Sequence, residues 1–363
     1  MPYLYTDEQN QIREQVRRRL SGLDSKGRLR PLLERKGCYD AQFWTVARDL
    51  GWNAIGIGET NGGLGLGLIE LLIVAEECGR VLVAAPLLAS ASPAIHALNA
   101  AGNPGGVLSG IAAGTVLATF AVAEGTEAFP TSIATTVEDG YVTGRKPAVL
   151  GGAVADRAVV LARVPDGGAR LLLVDLDQRG VERSVLETID NSRCLADLTF
   201  DRARAAILDL HEPITVTRQA LAHLALYLAG ESVGGADSCI SLARDYANER
   251  QAFGQAIGKF QAVKHAIAEM WVLNELARAS VLDAAVRLSN GDVDAESYVA
   301  AARLNGIQAY ETAAATATQI HGGIGVAWEA DLHLHYRRAR SLAVEAGVAA
   351  YWEDRLVEAL VTA

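Results

Sequence analysis

Two segments of this chain hold residue types that bind a diphosphate. The first runs Arg250-Gln251-Ala252-Phe253-Gly254-Gln255-Ala256-Ile257-Gly258-Lys259-Phe260-Gln261, and the second Gln319-Ile320-His321-Gly322-Gly323-Ile324-Gly325. Arginine offers phosphate oxygens a bidentate clamp, and glycines let backbone N–H groups approach closely. Taken singly, Arg250 is equally an ordinary solvated cation, and Gly322-Gly323 equally a helix stop. Together, an arginine, an aromatic ring, amide side chains and a glycine pair describe a pyrophosphate cradle.

Other chemistries find less support. The run Gly62-Gly63-Leu64-Gly65-Leu66-Gly67 is no dinucleotide fingerprint, because position 68, where a third glycine belongs, is Leu68. It reads as a tight loop between helices. His321, His333, His335 and Asp331 are neighbours in sequence, yet two histidines two residues apart diverge by about 200° on a helix, so no metal is expected. Nor is a serine nucleophile.

Composition narrows the classes. The 363 residues are half hydrophobic and 21% charged, which supports a large buried core and excludes intrinsic disorder. The net charge of -10 argues against nucleic-acid binding. Cys38, Cys78, Cys194 and Cys239 form no Cys-x-x-Cys pair, which fits a reducing compartment. The N-terminal Met-Pro-Tyr-Leu-Tyr-Thr-Asp-Glu lacks the basic and apolar regions of a secretory leader, so a cytoplasmic location is expected. Val81 to Ala123 carries no Asp, Glu, Lys or Arg, but Pro86, Pro93 and Pro104 interrupt it. It reads as buried connections, and no membrane insertion is expected.

The elements that must position the cradle fall in three zones. Helical spacing covers Gln9–Leu20, Tyr39–Leu50 and Ile69–Cys78, with Asp40 placed to cap the second. Short β-rich runs follow at Val116–Val122, Ala158–Val164 and Ala169–Val174, with turn signals at Glu138-Asp139-Gly140 and Pro165-Asp166-Gly167-Gly168. Pro213 then fits a helix start, and Arg218–Glu249, Gln261–Ser289 and Asp294–Gln319 read as long alanine-rich helices. The expected fold is α+β. It comprises an N-terminal helical domain (1–110), a central antiparallel β-barrel-like domain (111–210) and a C-terminal four-helix bundle (211–363).

The two cradle segments resemble the FAD-binding segments of the acyl-CoA dehydrogenase family. The likeness extends to Leu50-Gly51-Trp52, Glu59-Thr60-Asn61-Gly62-Gly63-Leu64-Gly65 and Glu76-Glu77-Cys78-Gly79-Arg80, and so covers nearly the whole chain. It implies FAD as cofactor and an acyl-CoA thioester as substrate. In such enzymes a carboxylate takes a proton from Cα while a hydride leaves Cβ for the flavin. By resemblance, Arg250, Phe253 and Gln261 hold the FAD pyrophosphate region. Gln319, Gly322 and Gly323 meet the adenosine side, usually of a neighbouring subunit's FAD, which implies an oligomer.

The chain departs from the family where the base belongs. Counted from Gln319, one family position for the base is Ala346, and Glu345 sits one residue early. Counted back from Arg250, the other is Leu224. Glu231 lies roughly 10 Å further along a helix at about 1.5 Å per residue, beyond the reach of about 3 Å that proton transfer needs. Glu231 therefore reads as a structural carboxylate. In the β domain, Ala121–Pro130 and Pro147–Gly151 stand where the family carries its flavin-contacting Thr-Glu-Pro and Trp-Ile-Thr-like segments. The wording around His321 and the short chain resemble subunits of heteromeric steroid side-chain dehydrogenases. The leading expectation is a subunit that desaturates a bulky acyl-CoA beside an unlike dehydrogenase chain. The alternatives are a self-sufficient enzyme using Glu345 as base, homo-oligomeric, and a non-catalytic structural subunit.

Overall fold

Helix α1 (Asp7–Ser21) begins at a capping box, in which Thr6 Oγ accepts from the Gln9 amide and the Gln9 side chain accepts from Thr6 N–H. The computed structural model describes residues 5–23, 25–84 and 86–362. The first four residues of the segment read as leaderless lie outside this range. Next come α2 (Ser25–Leu33), α3 (Ala41–Asp49), α4 (Leu68–Arg80), α5 (Pro86–Ala100) and α6 (Val107–Ala112). Asp40 caps α3 as its spacing predicts, accepting from the Gln42 and Phe43 amides. Arg13 and Arg17 dock α1 on α4 through Glu76 at 3.0 Å and Glu77 at 2.7 Å.

Helix α5 corrects the reading of Val81–Ala123 as connections. Its face toward the barrel and its face toward the bundle are both covered, so it has no solvated stripe to carry charges. Pro86 opens the helix and Pro93 lies inside it.

The middle zone holds seven strands: β1 (Ala118–Ala121), β2 (Thr136–Glu138), β3 (Tyr141–Val149), β4 (Arg157–Arg163), β5 (Ala169–Asp175), β6 (Val181–Val185) and β7 (Ala196–Ile207). Pairings run β4–β2–β3–β7–β5 and back to β4, which closes a barrel. The barrel is mixed rather than purely antiparallel, because β1 and β2 both pair with β4 in parallel. Strand β4 is buried on both faces. Ala158, Val160 and Ala162 fill the barrel, while Val159 and Leu161 pack in the cluster that includes α5. Its apolar run therefore lacks alternation.

The C-terminal zone holds α7 (Pro213–Glu249), α8 (Gln261–Asn290), α9 (Ala295–His321), α10 (Leu332–Val344) and a fifth helix, α11 (Ala349–Thr362). Pro213 occupies the first turn of α7, and Gly291 ends α8 in the left-handed region. Where α4 crosses α7, Gly79 lies against the Glu231 carbonyl and Gly234 against that of Glu76. A Cβ on either glycine would overlap the facing backbone.

Candidate active site

Helices α7 and α9 run parallel, so their C-termini reach one end of the bundle, beside the start of α8. The ring of Tyr246 stacks on His321 at 4.2 Å and ties the two ends together. Past Glu249 the chain straightens at Arg250 and forms a two-residue-strand hairpin, β8 (Gln251–Ala252) and β9 (Gln255–Ala256). Phe253 and Gly254 reverse it with φ of 51° and 77°. Phe253 is 96% exposed and meets Phe260 edge-on. Gln261 opens α8, and Gln319 and Gly322 close α9. All six residues of the expected cradle are thus brought to one bundle end, and all are exposed.

The cradle suits a dinucleotide diphosphate. Gly322 has φ 63° and ψ −143°, a conformation reserved for glycine, and nothing lies within 4 Å of where a Cβ on Gly322 or Gly323 would sit. A ligand can approach that backbone closely, at the same bundle end as the positive end of α8. Ile324, Val326 and Trp328 add exposed apolar surface around it.

A second feature lies between barrel and bundle. There a cavity of about 160 Å³ is walled by the end of β1, the Gly125–Ala128 loop, Pro147–Leu150 at the end of β3, Leu221 and Leu224 of α7, and Val344–Gly347 after α10. Leu224 and Ala346, the two positions where the resemblance places a base, both line it, and both are apolar. Ala346 and Gly347 take φ of 53° and 95°, and Trp352 Nε1 donates to the Ala346 carbonyl at 3.0 Å. Lys146, fully buried, donates to the Val122 carbonyl at 3.0 Å and to Glu124 at 2.6 Å, which pins the loop. Burial lowers the Lys146 amine to about 8 against the pull of Glu124. Burial would raise Glu124, but hydrogen bonds from Lys146 and the Ala134 and Thr135 amides bring it down to about 2.

Glu345 also borders this cavity, and its carboxylate is already engaged. Arg193 donates Nε to Oε1 at 2.9 Å and Nη2 to Oε2 at 2.7 Å. The same arginine donates Nη1 to both oxygens of Glu231, at 3.1 and 3.2 Å. Arg338 joins Asp190 at 2.6 Å, Glu231 at 2.8 Å, Ser192 Oγ at 3.0 Å and the Val83 carbonyl at 3.0 Å. Arg303 holds the carbonyls of Leu342 and Glu345. Three arginines and three carboxylates are thus buried together. Burial pushes the Glu345 carboxyl above its ordinary range, and Arg193 opposes that shift.

This cluster was not foreseen beyond the structural reading of Glu231. The signal was a lone acid inside the apolar run Leu221–Gly235, which demands a buried cation. The run Gly230-Glu231-Ser232-Val233-Gly234 does carry the Gly-x-Ser-x-Gly spacing of a hydrolase elbow. It lies mid-helix, however, and Ser232 Oγ donates to the Leu228 carbonyl at 2.8 Å, so no nucleophile is presented.

Comparison with known proteins agrees with this architecture. Residues 6–105 match the family described as acyl-CoA dehydrogenase, N-terminal domain, and residues 214–360 that described as acyl-CoA dehydrogenase, C-terminal domain. Fold and matches together place the chain among FAD-dependent oxidoreductases. It belongs to the acyl-CoA dehydrogenase family. The acyl-CoA dehydrogenase IpdE2 of Mycobacterium tuberculosis is 29% identical over 93% of this chain and 92% of its own. The ChsE4–ChsE5 complex of Mycobacterium tuberculosis superposes with a TM-score of 0.88 at 22% identity, covering 99% of this chain and 98% of that one. The Tcur3481–Tcur3483 steroid ACAD, solved as a variant, gives 0.84 at 23% identity, with 98% of each chain covered. At such identities the likeness to these two structures is one of fold.

Proposed function

We propose that this chain is one subunit of an FAD-dependent acyl-CoA dehydrogenase that acts on a bulky acyl thioester beside an unlike dehydrogenase subunit. The observation that carries this reading is the cavity in which both base positions, Leu224 and Ala346, are apolar while Arg193 holds both oxygens of Glu345. The steroid ACAD and the two-component complex among the structural neighbours favour a bulky substrate and an unlike partner. Among the described residues no helix is long and apolar enough to cross a membrane, and a cytoplasmic enzyme is the matching proposal.

In this reading Arg250 clamps the diphosphate, Gly322 and Gly323 admit it to the backbone, and Phe253, Gln261 and Gln319 flank the nucleotide. The FAD, when bound, supplies the acceptor for the hydride from Cβ. The apolar walls of the cavity exclude water from the reacting carbons. Leu224 and Ala346 take no proton, so the base that removes the Cα proton comes from the partner.

The decisive experiment compares the purified chain alone with the chain co-expressed with its neighbouring dehydrogenase subunit, reading flavin bleaching by a panel of CoA thioesters. Bleaching only in the pair is expected. A chain that desaturates an acyl-CoA unaided at ordinary rates overturns the partner requirement, and a pair devoid of flavin returns the scaffold reading.

Two variants refine the assignment. Arg250→Met removes charge-assisted bonds worth about 1.5–3 kcal/mol, so FAD affinity is expected to fall about 10- to 100-fold, with the Tm of the FAD-free protein unchanged because Arg250 is exposed. Fluorescence titration with FAD checks this. The alternative reading of Glu345 as base has one supporting observation, its place beside the cavity with burial raising its pKa. Glu345→Gln, with FAD retained, is expected to leave bleaching by the assembled pair within a few-fold of normal. Loss of bleaching by about 100-fold or more, the scale of a missing general base, would make Glu345 the base instead.

A further inference from the structure

Two cysteines far apart in sequence meet beside the buried charge cluster. Cys194 directly follows Arg193, and its Sγ donates to the Cys38 carbonyl at 2.9 Å. With C=O and Cα–C bonds of about 1.2 and 1.5 Å, that sulfur lies within about 6 Å of the Cys38 Cα. Disulfides join residues whose Cα atoms are about 4.4–6.8 Å apart, so a sulfur this close to the far Cα is within bridging range. The Cys38 thiol is also near enough to raise the pKa of the Cys194 thiol, with burial the larger cause.

The fold holds both residues in place. Asn191 Nδ2 donates to the Leu33 carbonyl at 2.8 Å, which ties the end of α2 to the turn before Cys194. Ala153 N–H donates to the Cys194 carbonyl at 3.2 Å. Gly37 takes φ 72°, and a Cβ there would stand 3.1 Å from Val185 Cγ1 and 3.7 Å from Ala153 Cβ. The chain entering Cys38 therefore lies flush against the end of β6. Cys194 takes φ 52°, in the left-handed region that residues with a side chain seldom adopt.

The two thiols differ in access. Cys38 is half-buried and Cys194 is 1% exposed. Burial pushes the Cys194 thiol up to about 12 against the pull of Arg193, so it stays protonated and shielded from solution. An accessible cysteine beside a resolving one is the arrangement of a redox-sensitive pair. We propose that Cys38 and Cys194 form a peroxide-responsive dithiol, in which Cys38 meets the oxidant and Cys194 resolves it. A peroxide gives one oxygen to the Cys38 sulfur, forming a sulfenic acid, and hydrogen peroxide leaves as water. The Cys194 sulfur then bonds to the Cys38 sulfur, the S–O bond breaks, and the hydroxyl departs with the Cys194 proton as a second water. The two thiols lose two electrons and two protons, which the peroxide takes up. The bridge staples the α2–α3 connection to the turn that carries Arg193. This inference does not rest on the dehydrogenase reading, and its test needs neither flavin nor turnover.

The test exposes the folded full-length chain to hydrogen peroxide, alkylates the remaining thiols in denaturant without reductant, and maps tryptic peptides by mass spectrometry. Trypsin cuts after Lys36, Arg48, Arg193 and Arg202, which places the two cysteines in peptides 37–48 and 194–202. These peptides are expected joined, two hydrogens lighter than their sum, within one chain and parted by dithiothreitol. Cys78 and Cys239, buried on α4 and α7, should be recovered alkylated. Cys194→Ser leaves the sulfenic acid unresolved, so Cys38 should instead gain two or three oxygens. Cys38→Ser should leave Cys194 alkylated and unoxidised. A Cys38 that stays a thiol, a Cys38 oxidised without the linked peptide, or a bridge between the Cys38 residues of two chains overturns the assignment. The linked peptide is read in the unaltered protein, so a variant that fails to fold does not decide the outcome.

Discussion

Replacing Arg193 by methionine is expected to destabilise the fold by about 3–5 kcal/mol at neutral pH, the cost of removing one partner from a buried ion pair. Arg193 is 1% exposed and joins two carboxylates from distant segments, Glu231 on α7 and Glu345 after α10. Without it Glu231 keeps Arg338, but among the described residues no other cation pairs with the Glu345 carboxylate, Arg303 donating only to that residue's backbone carbonyl. Its folded-state pKa must then rise far above the unfolded value of about 4.3. A carboxyl raised on folding costs stability above its folded pKa and costs nothing below its unfolded one. The deficit should therefore be largest near pH 7.5 and shrink toward pH 5. Urea denaturation of both proteins across that range measures it, and a deficit that stays constant with pH would remove charge burial as its cause. Arg193→Lys keeps the charge and loses the fork, so it should fall between the two.

The cluster also shows which parts of the molecule could be read from the chain. Three helix ends were legible where one residue supplies the cap, as Asp40 does for α3, Pro213 for α7 and Gly291 for α8, whereas the Thr6 capping box starts α1 two residues before the expected Gln9. The hairpin turn at Asp139-Gly140, with φ of 50° and 77°, was legible for the same reason. Helix α5 was not, because a helix covered on both faces loses the polar stripe that reveals its period. Strands β3 and β7 were missed because β3 buries a lysine, Lys146, β7 carries Asp201, Arg202 and Arg204 among its apolar residues, and bulges break their pairing. The six residues of the expected cradle lie in two short motifs, which the fold brings to one end of the bundle. Arg193 was not foreseen, since its carboxylate partners lie 38 and 152 residues away and no local pattern joins them. The cavity between barrel and bundle shows the same divide. Ala346 and Leu224 were singled out by counting along the chain, but only the fold reveals that they face one cavity.

That convergence supports a gain-of-function prediction. Leu224→Glu places a carboxyl in the cavity at a position where the resemblance puts a base. A positioned general base contributes about 10²–10⁴-fold, and flavin bleaching by the chain alone is expected to rise by that factor. Leucine and glutamate are similar in length, so the exchange needs little repacking. It forgoes burial of an apolar side chain that is 7% exposed, about 1.5–3 kcal/mol, so the variant should be less stable. The surrounding Phe120, Val122, Leu221 and Val344 provide no cation, so burial will hold the new carboxyl above its ordinary pKa and nearer the working pH, as a base requires. Its activity should then climb with pH through that raised value and level off above it. Leu224→Gln, equal in size but without a titrating group, should match the unaltered chain. If Leu224→Glu retains FAD and bleaches no faster than Leu224→Gln, a missing base is not what limits the isolated chain.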